Sequence, residues 1–263
     1  MSTMPLVTGS VHDGIGSVRL SDPQHRNVLS AAQSDELAAA VASVLADGAG
    51  AIVLTADPPV FCAGGSLDGL LTRKVPLPDL YRGFEALDHA PVPTIAAVGG
   101  PAIGAGVNLP LACDVILVSP EARFDPRFLD VGIHPGGGHL WRLQRRIGSQ
   151  GAAALVLCGD VLDGHDAVRA GLAWRCVDQP DLEDMAYQLA RRAAGRSRPL
   201  VAKAKATLRA TQSVPDVETA AALELEAQQW SMDQPGYDDG IRAIRESIRA
   251  RAGTSEGRAG PAT

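Results

Sequence analysis

"PTIAAVGGPAIGAGVNLPLACDVILVS", Pro93–Ser119, decides the fold. Its two ends, "PTIAAV" and "DVILVS", are short unbroken apolar runs, the pattern of strands buried on both faces in a parallel sheet. Between them glycine and alanine crowd together, and the segment from Leu109 reads as the start of a buried helix. Strand, glycine-rich loop, helix, strand is the arrangement of a crossover unit. The loop at the carboxyl end of such a strand is where α/β sheets place ligands. Asn108 is the lone polar side chain in the middle of the stretch, and the reason for an amide there is an open question.

The same grammar extends outward. "AIVLTA" from Ala51 is a second continuous apolar run, followed by a second glycine-rich loop, "FCAGGSL" (61–67). Further upstream, "LVTGSVHDGIGSVRLSD" holds two β-prone runs around Asp13-Gly14, a hairpin signal. Ser30 opens a helix, with Gln33 three residues on as in a capping box, and Leu37, Val41, Val44 and Leu45 follow at helical spacing. Residues 78–89 read as another helix, starting at Pro78-Asp79. Strands and helices alternate through about residue 190, so the fold class is α/β, layered and built from repeated crossovers.

From Leu182 onward only helical patterns occur. The expected division is a core over 1–190, a helical segment over 191–252, and a small polar tail without structure over 253–263. The last two helices carry single apolar stripes, Ala220, Leu223, Ala227 and Trp230 on one and Ile241, Ile244 and Ile248 on the other. Such stripes call for a covering surface, on the core or on another subunit.

Composition narrows the partners. The chain has 263 residues, 46% of them apolar, and a net charge of −6. An acidic chain without a long basic run argues against nucleic acid. An anionic ligand would need a local cluster of Arg or Lys set against the global sign. No apolar run reaches the length of a membrane span, and the start carries no secretory signal pattern, so a cytoplasmic protein is expected. Cys62, Cys113, Cys158 and Cys176 lack metal-ligand spacing and are expected to be reduced, buried thiols. "GAGVNL" fails the dinucleotide fingerprint because Leu109 stands where a third glycine is needed, and no GK[ST] occurs. Two glycine-rich loops after successive strands instead suit backbone N–H groups that bind an oxyanion.

In "DPQHRNVLS", "AIVLTA", "FCAGGSL", "PTIAAVGGPAIGAGVNLPLACDVILVS", "ARFDPRFLDVGIHPGGG" and "GDVLDGHDAVRAGLAWRCV", over roughly residues 5–250, the chain resembles the crotonase (enoyl-CoA hydratase/isomerase) superfamily. The resemblance implies a spiral of repeated ββα units, with C-terminal helices that mediate homotrimers, often paired into hexamers. It implies an acyl-CoA thioester as substrate and no cofactor beyond coenzyme A as part of it. The backbone N–H groups of Gly65 and Ala105 would form an oxyanion hole for a thioester enolate. Ala63, Ser66, Phe128 and Gly136 would line the substrate site, Arg26 would lie against the adenine end of CoA, and Arg73 and Lys74 would meet phosphates.

The resemblance breaks at two places. The family's hydratases add water with two glutamates. At the matching positions this chain has Asn108 and Phe128, neither of which can exchange a proton with substrate. General acid–base help is worth about 10²–10⁴-fold, so ordinary hydration is expected to be crippled. His134, before the "PGGG" turn, is the candidate replacement. Asp125 and Asp130 read as turn residues, and Asp68 as the cap of a short helix. The alternatives are an enzyme with relocated acid/base groups and a non-catalytic acyl-CoA carrier. A serine peptidase of the caseinolytic type, which shares the spiral, needs a serine where Gly-Val-Asn stands.

Overall fold

The computed structural model describes residues 4–72 and 74–256. Strand β1 (Val7–His12) turns back into β2 (Ile15–Leu20) through Asp13 and Gly14, both at positive φ, as a two-residue hairpin turn requires. Helix α1 (Ala31–Ala46) begins where Ser30 Oγ accepts the Gln33 N–H. The expected capping box is only half made. Gln33 is buried and neither of its side-chain polar atoms bonds within the described residues, so nothing returns to Ser30. Strand β3 (Ala51–Ala56), helix α2 (Leu67–Thr72) and helix α3 (Arg82–His89) follow. Pro78-Asp79 does not start α3. It lies in a separate 3₁₀ turn over Leu77–Leu80.

The opening stretch becomes β4 (Thr94–Val98), β5 (Pro101–Ile103), a 3₁₀ turn over Gly104–Val107, helix α4 (Asn108–Leu111) and β6 (Val115–Val118). Beyond it come β7 (Arg123–Asp125), α5 (His139–Leu157), β8 (Leu162–Asp163), α6 (Gly164–Arg169), β9 (Arg175–Cys176) and α7 (Leu182–Ala194). Helix α5 is interrupted at Gly148, whose φ is 72°.

Two sheets result. The larger runs β1-β2-β3-β4-β6-β9 and is parallel from β2 onward; the smaller runs β5-β7-β8. Its first strand, β5, is three residues long, Pro101-Ala102-Ile103, and escapes a periodicity reading because so short a run carries no alternation. The large sheet is covered on both faces, which is why its central strands are uniformly apolar. One face holds the main core, with Leu20, Leu37, Leu54, Phe84, Leu109 and Ile116 fully buried. The other packs Val53, Ile95 and Leu117 against Leu182, Ala186 and Ala190 of α7.

The first compact unit runs to Val201. Its all-helical continuation contains a packed helix, and Ala194 sits so close to Gly50 that an added Cβ there would lie 3.0 Å from the Ala194 Cα. The second unit begins at Ala202 and holds most of α8 (Arg198–Thr211) with α9 (Val217–Met232) and α10 (Tyr237–Glu256). Asp216 caps α9 by accepting the Thr219 N–H. Ile241, Ile244 and Ile248 are exposed along α10. That helix runs four residues into the stretch expected to lack structure; residues 257–263 lie outside the described residues.

Candidate active site

The two glycine-rich loops meet. Gly64, at φ 90°, approaches the other loop so closely that a Cβ there would lie 2.6 Å from Ile103 O and 3.6 Å from Ala105 N. A bridge between Cys62 and Ala102 joins the two loops, and one between Leu29 and Gly65 ties the first loop to the segment before α1. Gly106 has a different reason from the one its motif suggests. Its missing Cβ would lie 2.5 Å from Cys62 O, so it permits close packing and does not clear space for a ligand.

Gly65 and Ala105 line one cavity of about 790 Å³. Neither of their N–H groups donates to a protein acceptor among the described residues. For Ala105 the cause is local: it stands in the first turn of the 3₁₀ segment, where N–H groups have no partner within the helix. Two unspent donors on adjoining loops can hold an oxygen that carries partial negative charge.

The cavity gathers most of the residues that sequence singled out: Arg26, Ala63, Gly65, Ser66, Asp68, Ala105, Asn108, Phe128, His134 and Gly136 all line it. Its apolar wall comes from Val28, Leu29, Leu70, Leu77, Leu80 and Ile133. Arg26 is exposed at the rim, at φ 58°, with no acidic partner among the described residues. The adjacent Asn27 fixes that turn by donating to Asp57 O and Val60 O and accepting from Asp22 N. Lys74 is exposed and is not part of the lining, and Arg73 lies outside the described residues.

Several sequence expectations change. Ser66, not Asp68, caps α2, by accepting the Gly69 N–H. Asp125 is buried and bonded to Arg127, whose Nε lies 2.8 Å away. Asp130 is exposed and accepts no backbone N–H among the described residues. His134 is exposed, with Nδ1–H donated to Pro135 O at 2.7 Å. Of the thiols, Cys62 and Cys113 are buried, Cys176 is half-buried, and Cys158 is exposed, against the expectation that all are interior. Burial pushes the Cys62 thiol up to about 12. Among the described residues no cluster of His, Cys, Asp and Glu could hold a metal ion, and no helix is long and apolar enough to cross a membrane.

Asn108 does not cap a helix. It is 1% exposed, its Nδ2 donates to Gly136 O at 3.2 Å, and its Oδ1 accepts from His139 Nδ1 at 2.8 Å. His139 is the residue that sequence reading missed. It is the first residue of α5, is also 1% exposed, and its ring meets Phe128 edge to face with centroids 4.9 Å apart. Burial, and then the charge of Arg142 one turn along, lower its pKa to about 4, so it is neutral near pH 7. The available signal was a histidine placed directly after three glycines; only the packing shows that it touches both exceptional positions, Asn108 and Phe128.

Comparison with known proteins agrees with this architecture. Residues 10–250 match the Enoyl-CoA hydratase/isomerase family model. EchA14 of Mycobacterium tuberculosis, named a probable enoyl-CoA hydratase, is 40% identical over 239 residues, covering 87% of this chain and 93% of its own. The enoyl-CoA hydratase of Bacillus anthracis superposes with a TM-score of 0.85 at 25% identity, covering 92% of this chain and 96% of that one. A protein of Thermobifida fusca YX described as an enoyl-CoA hydratase, solved in complex with CoA, superposes with a TM-score of 0.80 at 26% identity over 87% of this chain and 93% of that one. Matched to the family model over residues 10–250 and to EchA14 at 40% identity, the chain belongs to the enoyl-CoA hydratase/isomerase family.

Proposed function

We propose that this protein binds an acyl-CoA thioester and polarises its carbonyl with the N–H groups of Gly65 and Ala105, stabilising an enolate by a route other than hydration by two carboxylates. The observation that carries the reading is the pair of unspent amides lining one cavity. Its size falls within the range of ligand pockets. Arg26 at the lining, exposed and without an acidic partner among the described residues, provides a cationic group for an anionic ligand against the chain's net charge of −6. The acyl end meets the apolar wall, with Ala63, Ser66 and Phe128 beside it. The protein acts in the cytoplasm as a homotrimer or hexamer, with the exposed isoleucines of α10 as candidates for burial between subunits. No cofactor is needed beyond the CoA of the substrate.

A specific observation favours a second reading. Among the described residues the one carboxylate lining the cavity is Asp68, exposed on α2. Asn108 is held by two hydrogen bonds, and His134 has one nitrogen tied to backbone. A wall with one carboxylate among its described residues, where a pair would be needed to add water, suits an acyl-CoA carrier. Calorimetry with butyryl-CoA and free CoA, followed by turnover assays on enoyl- and 3-oxoacyl-CoA esters, separates the cases. Binding with turnover on an ester other than crotonyl-CoA is the expected result. Binding without turnover on any ester selects the carrier, and no binding of butyryl-CoA refutes both.

A further inference from the structure

The orientation of the Asn108 amide follows from its neighbours. Gly136 O can only accept, so the group 3.2 Å from it is the NH₂. The amide oxygen then faces His139 Nδ1 at 2.8 Å, and that nitrogen must carry the ring hydrogen. Nε2 is left as a bare acceptor, buried and without a partner among the described residues. The rotated amide would set its oxygen against Gly136 O, two acceptors face to face, and leave the amide oxygen without a donor. The charged group facing the ring is Arg142, which is itself bound to Asp88 and to Gly137 O, and among the described residues no carboxylate pairs with His139. The imidazole is therefore a fixed neutral donor toward Asn108.

One amide hydrogen of Asn108 goes to Gly136 O, and one remains. Asn108 is part of the cavity wall, three residues after Ala105. Residues at that spacing stand one above the other on a helix, about 5–6 Å apart. Donors on two wall residues one turn apart, the Ala105 N–H and the Asn108 amide, can each reach one oxygen of a 1,3-dicarbonyl, whose oxygens are separated by a three-carbon span. An amide oxygen or a carboxylate at the same place would repel the second oxygen; an N–H binds it.

Building on the acyl-CoA reading above, we infer that His139 is a positioning residue: its Nδ1–H holds Asn108 with the spare amide N–H toward the cavity, so that the site selects thioesters bearing a carbonyl oxygen on C3, the 3-oxoacyl-CoA class, over unsubstituted acyl-CoA. The test is calorimetric, with 3-oxobutyryl-CoA and butyryl-CoA on the full chain, and reads the ratio of the two affinities. The wild type is expected to prefer the 3-oxo ester about tenfold, as one hydrogen bond of this kind gives. His139→Leu should bring the ratio to within about twofold of unity, and His139→Gln, whose side-chain NH₂ can still donate to Asn108, should restore most of it. Asn108→Asp should invert it. Equal binding of both esters by the wild type overturns the inference and leaves the acyl-CoA reading standing, whereas failure to bind butyryl-CoA removes that reading itself. A tenfold preference that survives His139→Leu also overturns it. Should the leucine variant not fold, ¹⁵N–¹H spectra of the wild-type imidazole decide: an Nδ1–H tautomer for His139 supports the assignment, and an Nε2–H tautomer refutes it.

Discussion

The buried imidazole makes the stability of this protein depend on pH in a calculable way. The His139 pKa is near 6.5 in the unfolded chain and about 4 in the folded one. Above pH 6.5 both states are neutral and the full stability is present. As the pH falls, the unfolded chain takes up a proton that the folded one refuses, so stability is lost between about 6.5 and 4. At about 1.4 kcal/mol for each pH unit the whole window is worth about 3 kcal/mol, and about 2 kcal/mol is gone by pH 5. The conversion applies at nearly full value because His139 is 1% exposed, which leaves little solvent screening. His139→Leu removes the titrating group. It also leaves Asn108 Oδ1 unpaired, which costs about 1–3 kcal/mol at pH 7.5. The variant should therefore be the less stable protein at pH 7.5, and its deficit should shrink by about 2 kcal/mol at pH 5. Urea unfolding followed by circular dichroism at the two pH values measures both. Asp163 and Asp216, held low by backbone N–H groups, are present in both proteins and cancel in the difference. A deficit that stays constant within about 0.5 kcal/mol would show that His139 titrates normally in the folded state, and the account of its burial would be wrong.

Three further outcomes are expected. Gly64→Ala places a Cβ 2.6 Å from Ile103 O at a φ of 90°, so it should cost about 2–4 kcal/mol and weaken butyryl-CoA binding by separating the two loops, as unfolding and calorimetry would report. Asn108→Glu with Phe128→Glu should raise crotonyl-CoA hydration by about 10²-fold or more; a folded double variant without any gain means that the rest of the pocket is unsuited to adding water. In native protein at pH 8, Ellman's reagent should modify Cys158 quickly and leave Cys62 unreacted until denaturant is added, because one is exposed and the thiol of the other is pushed up to about 12.

Much of the fold was legible because its signals are local. Unbroken apolar runs such as Ala51–Ala56 and Thr94–Val98 mark strands covered on both faces, and Asp13-Gly14 supplies the left-handed turn of a hairpin. Elements without a local signal were not visible. Strand β5 is too short for any period, and the ending of the first unit at Val201 depends on α7 finding the far face of the sheet.

For the site, the sequence by itself determined the inventory: two glycine-rich loops after buried strands, a backbone donor in each, and an amide and a phenyl ring at the two positions where the resemblance calls for acids. It could not say what each small or polar residue answers to, since that depends on atoms distant in the chain. Gly106 is small because Cys62 packs against it, and Ser66 takes the cap assigned to Asp68. The structure alone decided why position 108 is an amide. A backbone oxygen on one side and an imidazole N–H on the other demand a donor and an acceptor on one short side chain, which an amide offers and an ionised carboxylate, acceptor only, does not.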